Sequence, residues 1–200
     1  MSSVANRRER TITLGATTDE AGASVRAFFA LWPDAVARDV LTRLSRDVAA
    51  RSGGKAPAAT NVHLTLAFLG EVMASRVATL LALGAAAAAT VPPFRLALDR
   101  VGTFRGSGIA WAGASAVPAE MTRLVAELSA ALAAGGFVLD PRPFHAHVTL
   151  ARRCRKRVDV SMAAPIAWPV ERLVLNASEL APDGPRYREV GAWTLGPRRL

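Results

Sequence analysis

The sequence holds one cysteine, Cys154, two lysines, Lys55 and Lys156, and three histidines, His63, His145 and His147. A single thiol excludes an intrachain disulfide, which rules out a small secreted fold held by cross-links and leads to the expectation of a reducing compartment, the cytoplasm. Residues 1–24 carry Arg7, Arg8 and Arg10 but lack the apolar segment a secretory signal needs. They are polar, rich in Gly, Ser and Thr and without sustained periodicity, so they are expected to form a flexible N-terminal extension ahead of a single domain over 25–200. Long hydrophobic runs are scarce too. The uncharged stretch 77–94 is mostly alanine and closes on Pro92-Pro93, so it reads as an Ala-rich helix rather than a bilayer span. What remains is an ordinary globular composition, 51% hydrophobic and 20% charged over 200 residues, long enough to bury a sizeable core. The formal net charge is +9, and with so few lysines it is nearly all guanidinium, the group suited to bidentate contact with phosphate. A polyanionic partner is the first expectation.

Periodicity and turn residues predict strands over 26–32, 61–69, 94–101, 109–113, 146–152, 170–179 and 186–195. Helices are predicted over three segments. The first begins at an Asp34 N-cap, carries Val36, Val40, Leu41 and Leu44 at helical spacing and stops at Gly53-Gly54; the others span 74–89 and 118–134, the last ending at Gly135-Gly136. Pro182-Asp183-Gly184-Pro185 reads as a turn between the last two strands. The order defines an α+β chain. It contains an internal echo, since each half has a helix, a turn and then a strand bearing the same tetrapeptide, as two similar lobes facing each other would.

The echo is His63-Leu64-Thr65-Leu66 and His147-Val148-Thr149-Leu150. With threonine at about 6% and about half the residues hydrophobic, a given histidine acquires x-Thr-hydrophobic by chance about 3% of the time, and two of three doing so is on the order of a few in a thousand. On a strand, positions i and i+2 share a face, so each motif offers one imidazole and one hydroxyl to a common surface while Leu64, Leu66, Val148 and Leu150 face the interior. Two imidazoles flanking one group, one neutral and one protonated near neutral pH, suit a push-pull displacement. The neutral ring takes a proton from water, the protonated ring gives one to the departing oxygen, and Thr65 and Thr149 donate hydrogen bonds to the oxygens that stay on phosphorus. A strained cyclic 2',3'-phosphate fits this apparatus, and no metal or other cofactor is needed if arginines help carry the charge.

Other readings of these residues stay open at this stage. Both histidines could be structural groups at strand ends. His63, His145 and His147 could form a three-imidazole zinc site of a hydrolase. The chain could also be a nucleotide- or RNA-binding module without turnover. The run Arg152, Arg153, Arg155, Lys156, Arg157 is either a phosphate-backbone contact or a solvated loop. Arg152 is its best single candidate for the site, although strict alternation puts it on the face opposite His147, so that its use requires the strand to end or bulge there. Cys154, among these arginines, is read as incidental.

RAFFALWP, NVHLTLAFLGEV, RPFHAHVTLAR, WPVERLVLNASEL and PRYREVGAW together resemble the LigT-like RNA 2',3'-cyclic phosphodiesterases of the two-histidine phosphoesterase superfamily, over residues 26–193. The resemblance implies a bilobal α+β fold in which two antiparallel sheets form a central groove with helices packed outside. It also implies hydrolysis of 2',3'-cyclic phosphate ends of RNA or small nucleotides to 2'-phosphomonoesters, and in some members the reverse 2',5' ligation; a monomer without an obligate protein partner is expected. By motif position His63 would be the general acid toward the 3'-oxygen and His147 the general base toward water. Thr65 and Thr149 would hold phosphate oxygens and Arg152 would assist; the acid/base allocation comes from the resemblance alone. Two departures stand out. No aromatic residue occurs in 51–60, where family members often carry one, and Ala146 stands where proline is common.

Overall fold

The computed structural model describes residues 23–182 and 184–196. The expected extension therefore lies outside the described residues apart from Ala23 and Ser24, as does Asp183 of the expected turn. Strand β1 (Ser24–Leu31) is buried continuously from Ala27 to Leu31, as a strand covered on both faces must be. Helix α1 (Ala35–Ser52) starts where Asp34 accepts a hydrogen bond from the Ala37 amide at 2.7 Å and stops where Gly53 takes the left-handed φ of 66°. Its buried stripe is Ala37, Leu41, Ser45, Val48, Ala49 and Ser52, so Val36, expected on the apolar face, is instead 74% exposed in the first turn.

Strand β2 (Leu64–Met73) follows a 3-10 turn at Ala59–Asn61 and continues beyond the predicted stop at Gly70. Gly70, at φ 67°, forms a bulge there rather than a terminus: Ala27 pairs with Gly70 while Phe28 pairs with Phe68. Another 3-10 turn, Ala74–Arg76, leads into α2 (Val77–Ala89), where Gly84 permits close packing on the sheet, since a Cβ would lie 2.5 Å from the Trp193 ring and 2.8 Å from Phe29. Strands β3 (Phe94–Phe104) and β4 (Ile109–Gly113) form a hairpin, and α3 (Ala119–Ala134) buries Met121, Leu124, Leu128 and Leu132 at helical spacing. Strand β5 (His147–Ala151) is followed by β6 (Val160–Val170), β7 (Arg172–Ala181) and β8 (Gly184–Thr194). The sequence reading missed β6 and started the next strand at Val170. Pro165 and Pro169 argue against a central strand but are tolerated here because β6 is a sheet edge with only Ile166, Trp168 and Val170 buried.

The strands form one antiparallel sheet in the order β6-β3-β4-β5-β2-β1-β7-β8. This revises the expectation of two sheets. Two four-stranded halves are present, but they are joined edge to edge through β2 and β5 at a single residue pair, Leu64 with Val148. Helix α1 packs on β5 and β6 in one half, while α2 packs on β7 and β8 and α3 reaches β2 in the other. Leu64, Leu66, Val148 and Leu150 all belong to the continuous core. The alternate residues of both motifs therefore face away from that core.

Candidate active site

The pair Leu64–Val148 is the middle of the structure and the middle of both tetrapeptides. Continued one step either way, its antiparallel register sets His63 opposite Thr149 and Thr65 opposite His147. Directly opposed positions bring Cβ atoms to about 4.5–5.5 Å and diagonal ones to about 7–8 Å, so both imidazoles and both hydroxyls converge on one patch. The local backbone is duplicated as well. Register steps from Phe29/Ala67 to Ala30/Thr65 in one half, and from Ala110/Ala151 to Trp111/Thr149 in the other, leave Leu66 and Leu150 as the extra residues of two bulges. Each bulge thus falls on the fourth residue of its motif.

Each histidine is oriented by the carbonyl two residues before it. His63 Nδ1 lies 2.8 Å from the Asn61 oxygen and His147 Nδ1 lies 2.8 Å from the His145 oxygen. A carbonyl can only accept, so Nδ1 carries the proton in both rings and Nε2 is left for chemistry. His63 Nε2 is 3.1 Å from Thr65 Oγ1, whose hydroxyl donates to it when the ring is neutral.

Aromatic rings wall both imidazoles. His63 sits 5.2 Å from Phe28, 5.1 Å from Trp32 and 5.2 Å from Tyr187 between ring centroids. His147 is 5.0 Å from Phe104 and 5.8 Å from His145, which in turn packs at 4.6 Å against Trp111. Burial is the main reason that His63 titrates at about 4 rather than 6.5; the Asn61 carbonyl opposes the shift, and the positive charge of Arg152 and of a protonated His147 adds to it. Burial lowers His147 too, reinforced by His145 and Arg152 against the pull of the His145 carbonyl. The expectation of one neutral and one protonated ring therefore needs the negative charge of a substrate to be realised.

Arg152 reaches the motif face because β5 both bulges at Leu150 and ends at Ala151. Its backbone is pinned by a reciprocal pair of hydrogen bonds with Lys55, Lys55 N to Arg152 O at 2.8 Å and Arg152 N to Lys55 O at 2.9 Å. A cavity of about 570 Å³, within the ordinary range of small-molecule sites, opens beside it and is lined by His63, Thr149 and Arg152 together with Lys55, Asn61 and Tyr187 among others. His147 and Thr65 flank that cavity on the same sheet face without lining it. Sequence reasoning had passed over Lys55, Asn61, Phe28, Trp32 and Tyr187. Tyr187 was within reach, as the sole tyrosine and part of PRYREVGAW. It provides the aromatic surface missing from 51–60.

Three imidazoles do not assemble as a metal centre. Among the described residues no group of three or more His, Cys, Asp or Glu side chains is placed to hold a metal ion. His145 lies outside β5, exposed and packed on Trp111, while His63 Nε2 turns to Thr65. The zinc alternative thus loses its donor set.

One sheet whose halves meet at duplicated His-x-Thr pairs, with cations lining the adjoining cavity, is the frame expected of a two-histidine phosphoesterase. The chain belongs to the family described as LigT like Phosphoesterase, which it matches over residues 31–111 and 113–187. It is 33% identical over 171 residues to the RNA 2',3'-cyclic phosphodiesterase of Escherichia coli K12, covering 85% of this chain and 96% of that one. The corresponding protein of Thermus thermophilus is 32% identical, with 86% and 90% covered. The crystal structure of E. coli LigT complexed with 3'-AMP superposes with a TM-score of 0.79 at 32% identity over 86% of this chain and 99% of that one. No helix among the described residues is long and apolar enough to cross a membrane.

Proposed function

We propose that this chain hydrolyses 2',3'-cyclic phosphate ends of RNA to 2'-phosphomonoesters by acid–base catalysis between His63 and His147. The observation that carries the reading is the meeting of both His-x-Thr pairs across Leu64 and Val148 on one face of the sheet. His147 Nε2 removes a proton from water as its oxygen bonds to phosphorus. The P–O bond to the 3'-oxygen breaks, and protonated His63 delivers its Nε2 proton to that oxygen. The hydroxyls of Thr65 and Thr149 donate to the non-bridging oxygens, and Arg152 balances their charge.

The allocation of acid to His63 follows the family resemblance. Burial, heavier at His63, works against it, so an anionic phosphodiester must raise the imidazole before it can serve as the acid. Relatives bearing the name RNA 2',3'-cyclic phosphodiesterase support the substrate. The lone thiol suits a reducing compartment such as the cytoplasm, while a monomer, one domain over 25–200 and 2',5' ligation as the reverse reaction complete the proposal. The test is turnover of an oligonucleotide ending in a 2',3'-cyclic phosphate, in EDTA, by the wild type, His63→Ala and His147→Ala. Wild-type rates in both variants would refute the reading, and loss of wild-type activity in EDTA would revive a metal-dependent one.

A further inference from the structure

The cavity beside His63 carries more positive charge than its proposed reaction consumes. Lys55, Arg152 and Arg153 line it, and among the described residues no carboxylate does. One cyclic phosphodiester brings a single negative charge, which the motif threonines and Arg152 already meet. The surplus continues along the chain from Arg153 to Arg155 and Lys156, both exposed and without an ion pair among the described residues.

This basic stretch is not a loose solvated loop. The amides of Arg155 and Lys156 both donate to the Ser52 carbonyl, at 2.9 and 3.0 Å, and the Cys154 amide donates to Gly108 at 2.9 Å. Arg153 holds a left-handed φ of 57°, which turns the backbone immediately after Arg152. The Arg155 side chain lies over Gly53, so the guanidinium-bearing loop and the rim at Gly53 to Lys55 form one surface leading out of the cavity. A backbone fixed this way carries the three side chains on one surface without the loop first having to order.

We infer that Arg153, Arg155 and Lys156 form a track for the backbone phosphates on the 5' side of the cleaved end, which makes the preferred substrate a strand of several nucleotides rather than a cyclic mononucleotide. The inference rests on the proposed hydrolysis and names its substrate class. Backbone phosphates are repeated single charges, which a row of cations matches and a lone cyclic phosphate does not. Neutralising the outer two cations, Arg155→Gln with Lys156→Gln, leaves the cavity lining untouched.

The experiment compares kcat/KM of the wild type and this double variant on a 2',3'-cyclic mononucleotide and on cyclic-phosphate-ended di-, tetra- and octanucleotides, at about 50 and about 200 mM salt. Binding of the tetranucleotide is followed in parallel by fluorescence anisotropy. Wild-type efficiency is expected to rise over the first few nucleotides. The double variant should lose about tenfold on the tetranucleotide in both turnover and binding, keep its rate on the mononucleotide, and show a salt slope shallower by about 1.4, near 0.7 per cation removed. Equal wild-type efficiency at all lengths, or equal losses on mononucleotide and tetranucleotide, would overturn the track. A nucleoside 5'-triphosphate that competes as well as the tetranucleotide, with the same loss in the variant, would also overturn it in favour of a small polyphosphate. If nothing is hydrolysed, the function falls while the binding comparison still decides the track.

Discussion

His63 and His147 are set up by the same devices: a strand start, a carbonyl two residues back that fixes the Nδ1 proton, and a bulge on the fourth residue of the motif. Their surroundings differ. His63 is enclosed by Phe28, Trp32 and Tyr187 from β1, the turn after it, and β8, and Thr65 reaches its Nε2. His147 has Phe104 on β3 and the exposed His145 beside it. Repetition of four residues therefore reproduces orientation but not electrostatics. The second depends on which distant strands each half packs alongside, and the proposed reaction would use that difference to give two copies of one motif the unlike parts of acid and base.

The sharpest way to break the comparison is to delete each ring. His63→Ala and His147→Ala are each expected to lower kcat by about 10²–10⁴-fold, the usual worth of a positioned proton-transfer group. A phosphodiester with a p-nitrophenolate leaving group needs no protonation as it departs, so on that substrate His63→Ala should recover most of the loss and His147→Ala should not. Recovery in the opposite variant would reverse the roles. Next come the hydroxyls. Thr149→Ala and Thr65→Ala should each cost about 10²-fold in kcat, on the scale of removing one donor to a developing anion. Only Thr65→Ala should also move the pH–rate limb assigned to His63, because Thr65 Oγ1 is the group hydrogen-bonded to that ring.

The burial of His63 also has a signature without substrate. A folded-state pKa of about 4 against 6.5 in the unfolded chain means that the unfolded state binds more protons between those values, so stability rises with pH across that window and falls on acidification. The full loss below pH 4 is about 3 kcal/mol. Urea denaturation at pH 7, 5.5 and 4.5 should show the decline in the wild type, and His63→Asn should make it shallower, with His147, also lowered by burial, contributing to what remains. An unchanged slope in that variant would mean that other groups carry the acid sensitivity.

How far these features could be read in advance follows from their range along the chain. Asp34 and Gly53 mark the ends of α1 because capping is local chemistry. The two His-x-Thr pairs were visible because alternation on a strand is local too. Strand β6 was hidden by Pro165 and Pro169, whose tolerance depends on an edge position that only the sheet order reveals. Two sheets were expected where one ladder pinched to a single pair is found, since no local pattern reports whether strand edges 84 positions apart, at Leu64 and Val148, meet. Tyr187 and Trp32 became neighbours of His63 only through the order β2-β1-β7-β8. The carbonyls of Asn61 and His145 orient the rings as backbone groups, which any residue would supply.

The smallest expected effect isolates the cage itself. Tyr187 touches His63 edge-on and also packs at 4.9 Å on Phe28, so Tyr187→Ala opens the ring to water from the cavity side while leaving Asn61 and Thr65 in place. Because burial is the leading cause of the low pKa, admitting water should raise it from about 4 toward the ordinary 6.5, and the carbonyl of Asn61, which favours the charged ring, then acts with less opposition. NMR titration of the His63 ring would read this directly. The His147 resonance is followed beside it: its walls, Phe104 and His145, are untouched, so any change there reports the charge gained at His63. An unshifted His63 in Tyr187→Ala would assign the depression to Arg152 and the partner imidazole instead. In that case Arg152→Gln should raise both histidines together, and the two halves would differ less in burial than in charge.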